Sequence, residues 1–99
     1  MVDKDPYEGL PFEVMRVTPQ LEIRKFDRNT SSEEMKWHRD AEDRMFRLVT
    51  GEGWLFQLDD KLPVPIRLNE SYYIPAGTWH RAIKTPGASD LVIQLHKRV

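Results

Sequence analysis

His38, Asp40 and His80 are the residues of this sequence whose types and spacing suit metal or acid–base chemistry. His38 and Asp40 are two residues apart, so on an extended strand both side chains point to the same face. His80 stands in a different segment, and a second strand can bring it to the same place. Two imidazoles and one carboxylate are a ligand set for divalent transition metals. Because histidine titrates near neutral pH, His38 and His80 are also candidates for a catalytic general acid or base.

Arg44 introduces a different chemistry. It follows His38 by six residues and keeps the same strand parity, and Phe46 and Leu48 continue that face into a predicted pocket. A guanidinium has no lone pair with which to bind a metal, and its charge repels a cation. It is suited instead to binding a carboxylate or a phosphate. We therefore expect Arg44, His38, His80 and Phe46 to bind a polar or anionic ligand.

The two chemistries compete for the same carboxylate. An inward-facing arginine needs an acidic partner, because a buried charge is costly unless it is paired. Arg44 has three candidates nearby, namely Asp40, Glu42 and Asp43. A pair with Asp40 would occupy a predicted metal ligand. The pocket is thus either a metal site or a metal-free pocket in which the histidines bond to their neighbours.

The composition narrows the class of protein. The 99 residues fit one domain spanning 1–99, and the formal net charge of −1 gives no electrostatic reason to expect nucleic acid or a membrane surface as a partner. The absence of cysteine excludes disulfides and thiolate ligands. No apolar run approaches the ~18 residues that span a bilayer. We expect a cytoplasmic protein.

The apolar pattern predicts eight or nine short strands and no convincing helix, after a loose arm at residues 1–10. Two early strands are expected to bury Phe12, Val14 and Val17, and then Leu21, Ile23 and Phe26. Residues 27–32 read as a polar loop, although Thr30 and Glu33 have the spacing of a helix capping box. The remaining strands are predicted in these segments: MFRLVT, WLFQL, LPVPIRL, SYYIP, TWHRAIK and LVIQLHKRV.

Glycine and proline predict how these strands are joined. Gly51-Glu52-Gly53 between two apolar runs indicates a tight hairpin. The two prolines of LPVPIRL favour an edge strand or an irregular strand. Short, regularly spaced strands are typical of a sandwich, a barrel or a jelly roll.

Two motif regions resemble those of the cupin family, whose first motif reads His-x-His, Glu and Gly. In residues 36–54, His38 and Gly51 match that pattern, Asp40 stands at the second His and Arg44 at the Glu. The second motif, in residues 69–84, reads Gly, Pro-x-Gly, His and Asn. Pro75, Gly77 and His80 match it, whereas Asn69 replaces the leading Gly and Lys84 the trailing Asn.

The resemblance implies an all-β fold, the double-stranded β-helix or jelly-roll barrel. It also implies a divalent metal such as Fe, Mn, Ni or Zn, with His38, Asp40 and His80 as ligands. Arg44 departs from the family pattern and puts that metal in doubt. A homodimer is a further family-level expectation.

Three functions stay open at this point. The first is a small-molecule-binding cupin with weakened or absent metal binding. The second is a metal-dependent enzyme of the dioxygenase, isomerase or lyase type. The third is a non-catalytic structural or regulatory scaffold, because a fold does not imply a function.

Overall fold

The computed structural model describes residues 12–29 and 35–98, and within them the chain forms eight strands and no helix. The all-β prediction is confirmed. The predicted arm at 1–10 and the capping spacing of Thr30 and Glu33 lie outside the described residues. The strands are β1 (Glu13–Thr18), β2 (Leu21–Phe26), β3 (Arg44–Thr50), β4 (Trp54–Leu58), β5 (Val64–Pro65), β6 (Ser71–Ile74), β7 (His80–Lys84) and β8 (Leu91–Lys97).

The strands form two antiparallel sheets. The larger has five strands in the order β1-β2-β8-β3-β6, and the smaller has three in the order β5-β4-β7. LPVPIRL supplies β5, which pairs only with β4, so the predicted edge strand is confirmed. No helix of the described residues is long and apolar enough to cross a membrane.

The segment Gly51–Gly53 carries the chain from one sheet to the other, and the predicted hairpin is wrong. β3 pairs with β6 and β8, whereas β4 pairs with β5 and β7. Both glycines have positive φ, 137° and 84°. A Cβ at Gly51 would lie 2.8 Å from the carbonyl oxygen of Asp90, so this crossing requires residues without a side chain.

The core lies between the two sheets. Apolar side chains from both inner faces fill it, and the aromatic members pack ring against ring, with Phe46 stacked on Tyr72 at 4.9 Å and edge-on to Phe56 at 5.1 Å. Its buried members are Phe26, Met35, Phe46, Trp54, Phe56, Ile66, Tyr72, Ile74, Leu91, Ile93 and Leu95.

β2 presents the opposite face to the one predicted. Leu21 and Ile23 are only partly buried, whereas Glu22 is fully buried. The register explains this, because Glu22 pairs with Leu95 and Phe26 with Leu91, both core residues of β8. Phe26 has the parity of Glu22, so one aromatic anchor determines which face of β2 is buried.

β1 is more exposed than its pattern suggests. Val17 is 54% exposed, so its predicted burial is wrong, and Val14 is partly buried. Among the described strands β1 is an edge strand that pairs with β2 alone, which leaves one side of it without a neighbouring strand. Phe12, just before β1, does pack against the core as predicted.

Candidate metal centre and ligand cavity

A short segment before β3 carries His38 and Asp40. Both residues precede the strand, which begins at Arg44, so the prediction of one continuous strand face from His38 to Arg44 is wrong. The segment is attached instead to the start of β7. His38 and His80 exchange backbone hydrogen bonds of 3.0 and 2.8 Å, and the N–H of Gly77 donates to the carbonyl of Asp40 at 2.8 Å. These three bonds bring the two motif regions together.

Two cation–π contacts hold the outer face of this segment. The Arg81 guanidinium lies 4.7 Å from the Trp37 ring, and the Arg39 guanidinium lies 5.0 Å from the Trp79 ring. Trp79 is 42% exposed, whereas its neighbour His80 is 5% exposed, so the two side chains point to opposite faces as predicted. Trp79 therefore supports the segment from outside and leaves the inner face to the ligand atoms.

The three predicted metal ligands converge. One potential ligand atom from each of His38, Asp40 and His80 lies within 4.8 Å of the other two. The two imidazole rings are 4.2 Å apart, edge to face. His80 Nε2 lies 3.3 Å from Asp40 Oδ2.

The backbone fixes which nitrogen each histidine offers. Nδ1 of His38 lies 2.9 Å from the carbonyl oxygen of Lys36, and Nδ1 of His80 lies 2.9 Å from that of Thr78. A carbonyl only accepts hydrogen bonds, so Nδ1 carries the proton in both rings. In the neutral rings Nε2 then bears the lone pair. This second hydrogen bond is how metal-binding histidines are usually oriented.

Asp40 supplies the observation that favours a cation. Its Oδ2 is buried and has no hydrogen-bond partner among the described residues. It faces the Nε2 of His80, so two lone pairs are 3.3 Å apart unless a positive charge lies between them. A proton on Nε2 or a metal ion supplies that charge. The residues present thus fit a divalent metal.

Two pKa shifts maintain the protonation states that a metal needs. Burial lowers the pKa of His38, although the hydrogen bond to the Lys36 carbonyl opposes this, and the lowered pKa favours the neutral ring. Burial alone would raise the pKa of Asp40, but the His80 contact and the positive charge of Arg44 outweigh it and lower that pKa. Asp40 is therefore ionised.

Arg44 is paired with two carboxylates. Its Nη1 lies 3.2 Å from Asp40 Oδ1, and its Nε and Nη2 donate to Glu42 Oε1 at 2.9 and 2.7 Å. Asp43 accepts from the backbone N–H of Ala76 instead. The Arg44 pair uses one oxygen of Asp40 and leaves Oδ2 free, so pairing with Arg44 and metal binding are compatible.

A cavity of about 480 Å³ opens beside these residues. The predicted ligand-binding residues Arg44, His38, His80 and Phe46 all line it, together with a set of mainly apolar side chains from both sheets. That volume is within the range of small-molecule sites. The other lining residues are Phe12, Arg24, Phe26, Met35, Lys36, Trp37, Asp40, Phe56, Ile66, Ile74, Arg81, Ala82, Leu91, Ile93 and Leu95.

Sequence reasoning missed Glu22 and Arg24. Arg24 lines the cavity and donates through Nε to Glu22 Oε2 at 2.9 Å. Both residues share the parity of Phe26, and that parity is the signal that could have identified them. Burial would raise the pKa of Glu22, but hydrogen bonds from Lys97 and Arg24 lower it instead.

Comparison with known proteins depends on structure, because no family model and no curated protein sequence matches the chain. An RmlC-like cupin family protein with a double-stranded β-helix fold, from Methanocaldococcus jannaschii, is similar at 16% identity and a TM-score of 0.65. The match covers 98% of this chain and 91% of that chain. This chain has the cupin fold.

Two further solved structures share the cupin fold. A putative mannose-6-phosphate isomerase from Ralstonia eutropha is 16% identical, with a TM-score of 0.66 and coverage of 100% of both chains. A chain from the crystal structures of DMSP lyases is 14% identical, with a TM-score of 0.67. That match covers 80% of this chain and only 37% of the other.

The backbone conformation of Asn69 explains one departure from the motif. Asn69 stands where the family pattern has its leading glycine, and its φ is 66°. Asparagine tolerates this left-handed conformation better than most residues. The turn before β6 is therefore kept although the glycine is replaced.

Proposed function

We propose that this chain binds a divalent transition metal through His38, Asp40 and His80, and binds a small polar or anionic molecule in the adjacent cavity. One observation carries the metal proposal. The buried Oδ2 of Asp40 has no hydrogen-bond partner among the described residues and faces the Nε2 of His80 at 3.3 Å. A metal ion would take a lone pair from each.

Neighbouring groups of the chain orient the proposed metal ligands and stabilise the charge of Asp40. His38 and His80 are oriented by the carbonyls of Lys36 and Thr78, and Asp40 is kept ionised next to Arg44. A metal held there would act as a Lewis acid on a bound oxygen. Fe, Mn, Ni and Zn all accept this ligand set. Solved structures with this fold include proteins named as lyases and as a putative isomerase, which supports an enzymatic role of that kind.

Metal content is the direct test. Protein purified without a nickel column should contain about one transition-metal ion per chain. Asp40→Asn should lower the metal affinity by at least the ~10- to 100-fold that second-shell changes cause. Asp43→Asn is the matched control, because Asp43 bonds the backbone of Ala76 and is not part of the triad. Metal content far below one per chain, or equal affinities in the two variants, would contradict the proposal.

A metal-free binding protein is the second candidate. A proton on His80 Nε2 would also satisfy Asp40 Oδ2, and the pair would then be an ion pair at 3.3 Å. In that case His38 and His80 remain the candidates for acid–base chemistry. Ligand binding that is unchanged by a chelator would favour this candidate.

We also propose that residues 1–99 form a single domain that pairs as a homodimer. The five-stranded sheet ends in the edge strands β1 and β6, on which Met15 and Tyr73 are 66% and 68% exposed. Unpaired strand edges favour pairing with another chain. Sedimentation equilibrium checks this, and a molar mass of one chain at micromolar concentration would contradict it.

A further inference from the structure

The charged side chains that line the cavity are mostly cationic. Among the described residues that line it, they are Arg24, Lys36, Arg44 and Arg81, against one carboxylate, Asp40. A cavity with this imbalance attracts anions, and the attraction is stronger where water is excluded.

Three of these four cations are poor candidates for the main anion contact. Arg44 already contacts carboxylates through Nη1, Nη2 and Nε. Lys36 is exposed to solvent. Arg81 follows the inward-facing His80 by one residue on β7, so its side chain starts on the opposite face of that strand, where it donates through Nε to Gln57.

Arg24 differs from the other three. Its side chain is 13% exposed, and its hydrogen bond to Glu22 uses Nε, one of the five N–H donors of a guanidinium. Glu22 is shared with two more cations, since Lys97 Nζ is 2.5 Å away and an Arg16 nitrogen is 3.6 Å away. One carboxylate therefore pairs with three cations, and Arg24 is the member of this group that lines the cavity.

Burial of the Arg24 guanidinium is unfavourable. Burial lowers the pKa of Arg24, and Glu22 offsets the effect only in part. An anion bound beside the guanidinium would complete the neutralisation.

The surroundings of Arg24 indicate what else the ligand carries. The guanidinium stacks over the Phe12 ring at 4.5 Å. Along β2 the next inward residue is Phe26, and the cross-strand neighbour on β8 is Ile93, both of which line the cavity. A ligand that reaches Arg24 is therefore in contact with apolar walls.

We propose that the cavity binds a small organic monocarboxylate with an apolar body, whose carboxylate pairs with the guanidinium of Arg24. The planar guanidinium matches a carboxylate in a bidentate geometry. The apolar body packs against Phe26 and Ile93 and extends towards the triad. This inference rests on the proposed function, because it names the class of molecule that the cavity takes.

Isothermal titration calorimetry with hexanoate tests the proposal on the full chain, metal-free and cobalt-loaded. Hexanamide has the same carbon chain without the charge and should bind at least about tenfold more weakly. Arg24→Gln should weaken hexanoate binding by about ten- to a hundredfold while cobalt affinity is retained. Arg47→Gln is the matched control, because Arg47 is exposed and bonds Ser71 outside the cavity.

A second measurement needs no variant, in case Arg24→Gln fails to fold. In the ¹⁵N-labelled wild-type chain, the Nε–Hε resonance of Arg24 should shift as hexanoate is added and stay unchanged with hexanamide. Hexyl phosphate should bind more weakly than hexanoate, and tighter binding of the phosphate would overturn the choice of carboxylate.

The outcomes separate this inference from the metal proposal. If cobalt does not bind but hexanoate binding depends on Arg24, the metal proposal fails and the carboxylate site stands. If hexanoate binds only the cobalt-loaded chain and its affinity is unchanged by Arg24→Gln, its carboxylate binds the metal and the inference is overturned. Equal binding of hexanoate and hexanamide also overturns it.

Discussion

Two charge clusters, each of which contributes an arginine to the lining of the cavity, favour ligands of opposite charge. In the first, one guanidinium, Arg44, serves two carboxylates, Asp40 and Glu42. In the second, one carboxylate, Glu22, serves three cations, Arg16, Arg24 and Lys97. In the first cluster Asp40 Oδ2 has no hydrogen-bond partner among the described residues, which favours binding of a cation. In the second cluster the hydrogen bond from Arg24 to Glu22 uses only Nε, which leaves N–H donors for an anion.

The contrast shows that the arginine suggested by the sequence motif is not the one best placed for an anion. Arg44 stands at a motif position, but its charge is already matched by carboxylates. Arg24 stands in a strand without a motif, and its one carboxylate partner is shared. The number and sharing of partners decide which arginine is available.

The largest expected effect is on the cation-rich cluster. Glu22→Gln removes the carboxylate that pairs with Arg24 and Lys97, and Glu22 is fully buried. The free energy of unfolding should fall by about 3–5 kcal/mol, the usual cost of breaking a buried ion pair. Urea denaturation measures it, with the exposed Glu52→Gln as control. A loss below about 1 kcal/mol would place Glu22 among weak surface pairs.

Acid should act on the same cluster. The pKa of Glu22 is lowered from its ordinary value of 4.5, so the unfolded chain takes up the proton first as the pH falls. The stabilisation is complete above the unfolded pKa and is lost as the pH falls through the folded pKa. The slope of unfolding free energy against pH below about 4.5 should therefore be smaller in Glu22→Gln. An unchanged slope would show that Glu22 is not an acid-sensitive group.

Arg44→Gln tests the carboxylate-rich cluster with a smaller effect. Removing the cation leaves Asp40 and Glu42 unneutralised and ends the repulsion of a metal ion. Cobalt affinity should rise by about tenfold, which corresponds to about 1.4 kcal/mol. Competition with a colorimetric chelator measures it. A fall in affinity would mean that Arg44 acts mainly by positioning Asp40.

The smallest expected effect lies outside both clusters. Arg39→Gln removes the cation–π contact with Trp79 on the outer face of the site segment. The free energy of unfolding should fall by about 0.5–1 kcal/mol, as for exposed pairs of this kind. Thermal unfolding checks this, and a loss of several kcal/mol would show that the segment depends on this contact.

The sequence predicts the strands and the triad well because both depend on local patterns. Alternation and turn residues identify the strands, and the prolines identify the β5 edge. The two motifs identify His38, Asp40 and His80, which the structure brings within 4.8 Å.

Which strands pair, and which face of a strand is buried, depends on contacts between residues that are distant in sequence. Local sequence patterns therefore do not predict these features. A glycine turn at Gly51–Gly53 looks the same whether the next strand pairs back or crosses to another sheet. In β2, Leu21 and Ile23 point to one face and Phe26 points to the other, so the local pattern does not decide which face is buried. Pairing with the core residues of β8 placed Phe26 on the inner face, together with Glu22 and Arg24, which have the same parity.

A crystal structure of the cobalt-loaded chain, with anomalous diffraction data, tests the central claim most directly. The account predicts an anomalous peak between His38, Asp40 and His80, about 2.0–2.2 Å from Nε2 of both histidines and from Asp40 Oδ2. Arg44 should still contact Oδ1. The account is contradicted if no peak appears there and His80 Nε2 instead donates a hydrogen bond to Asp40.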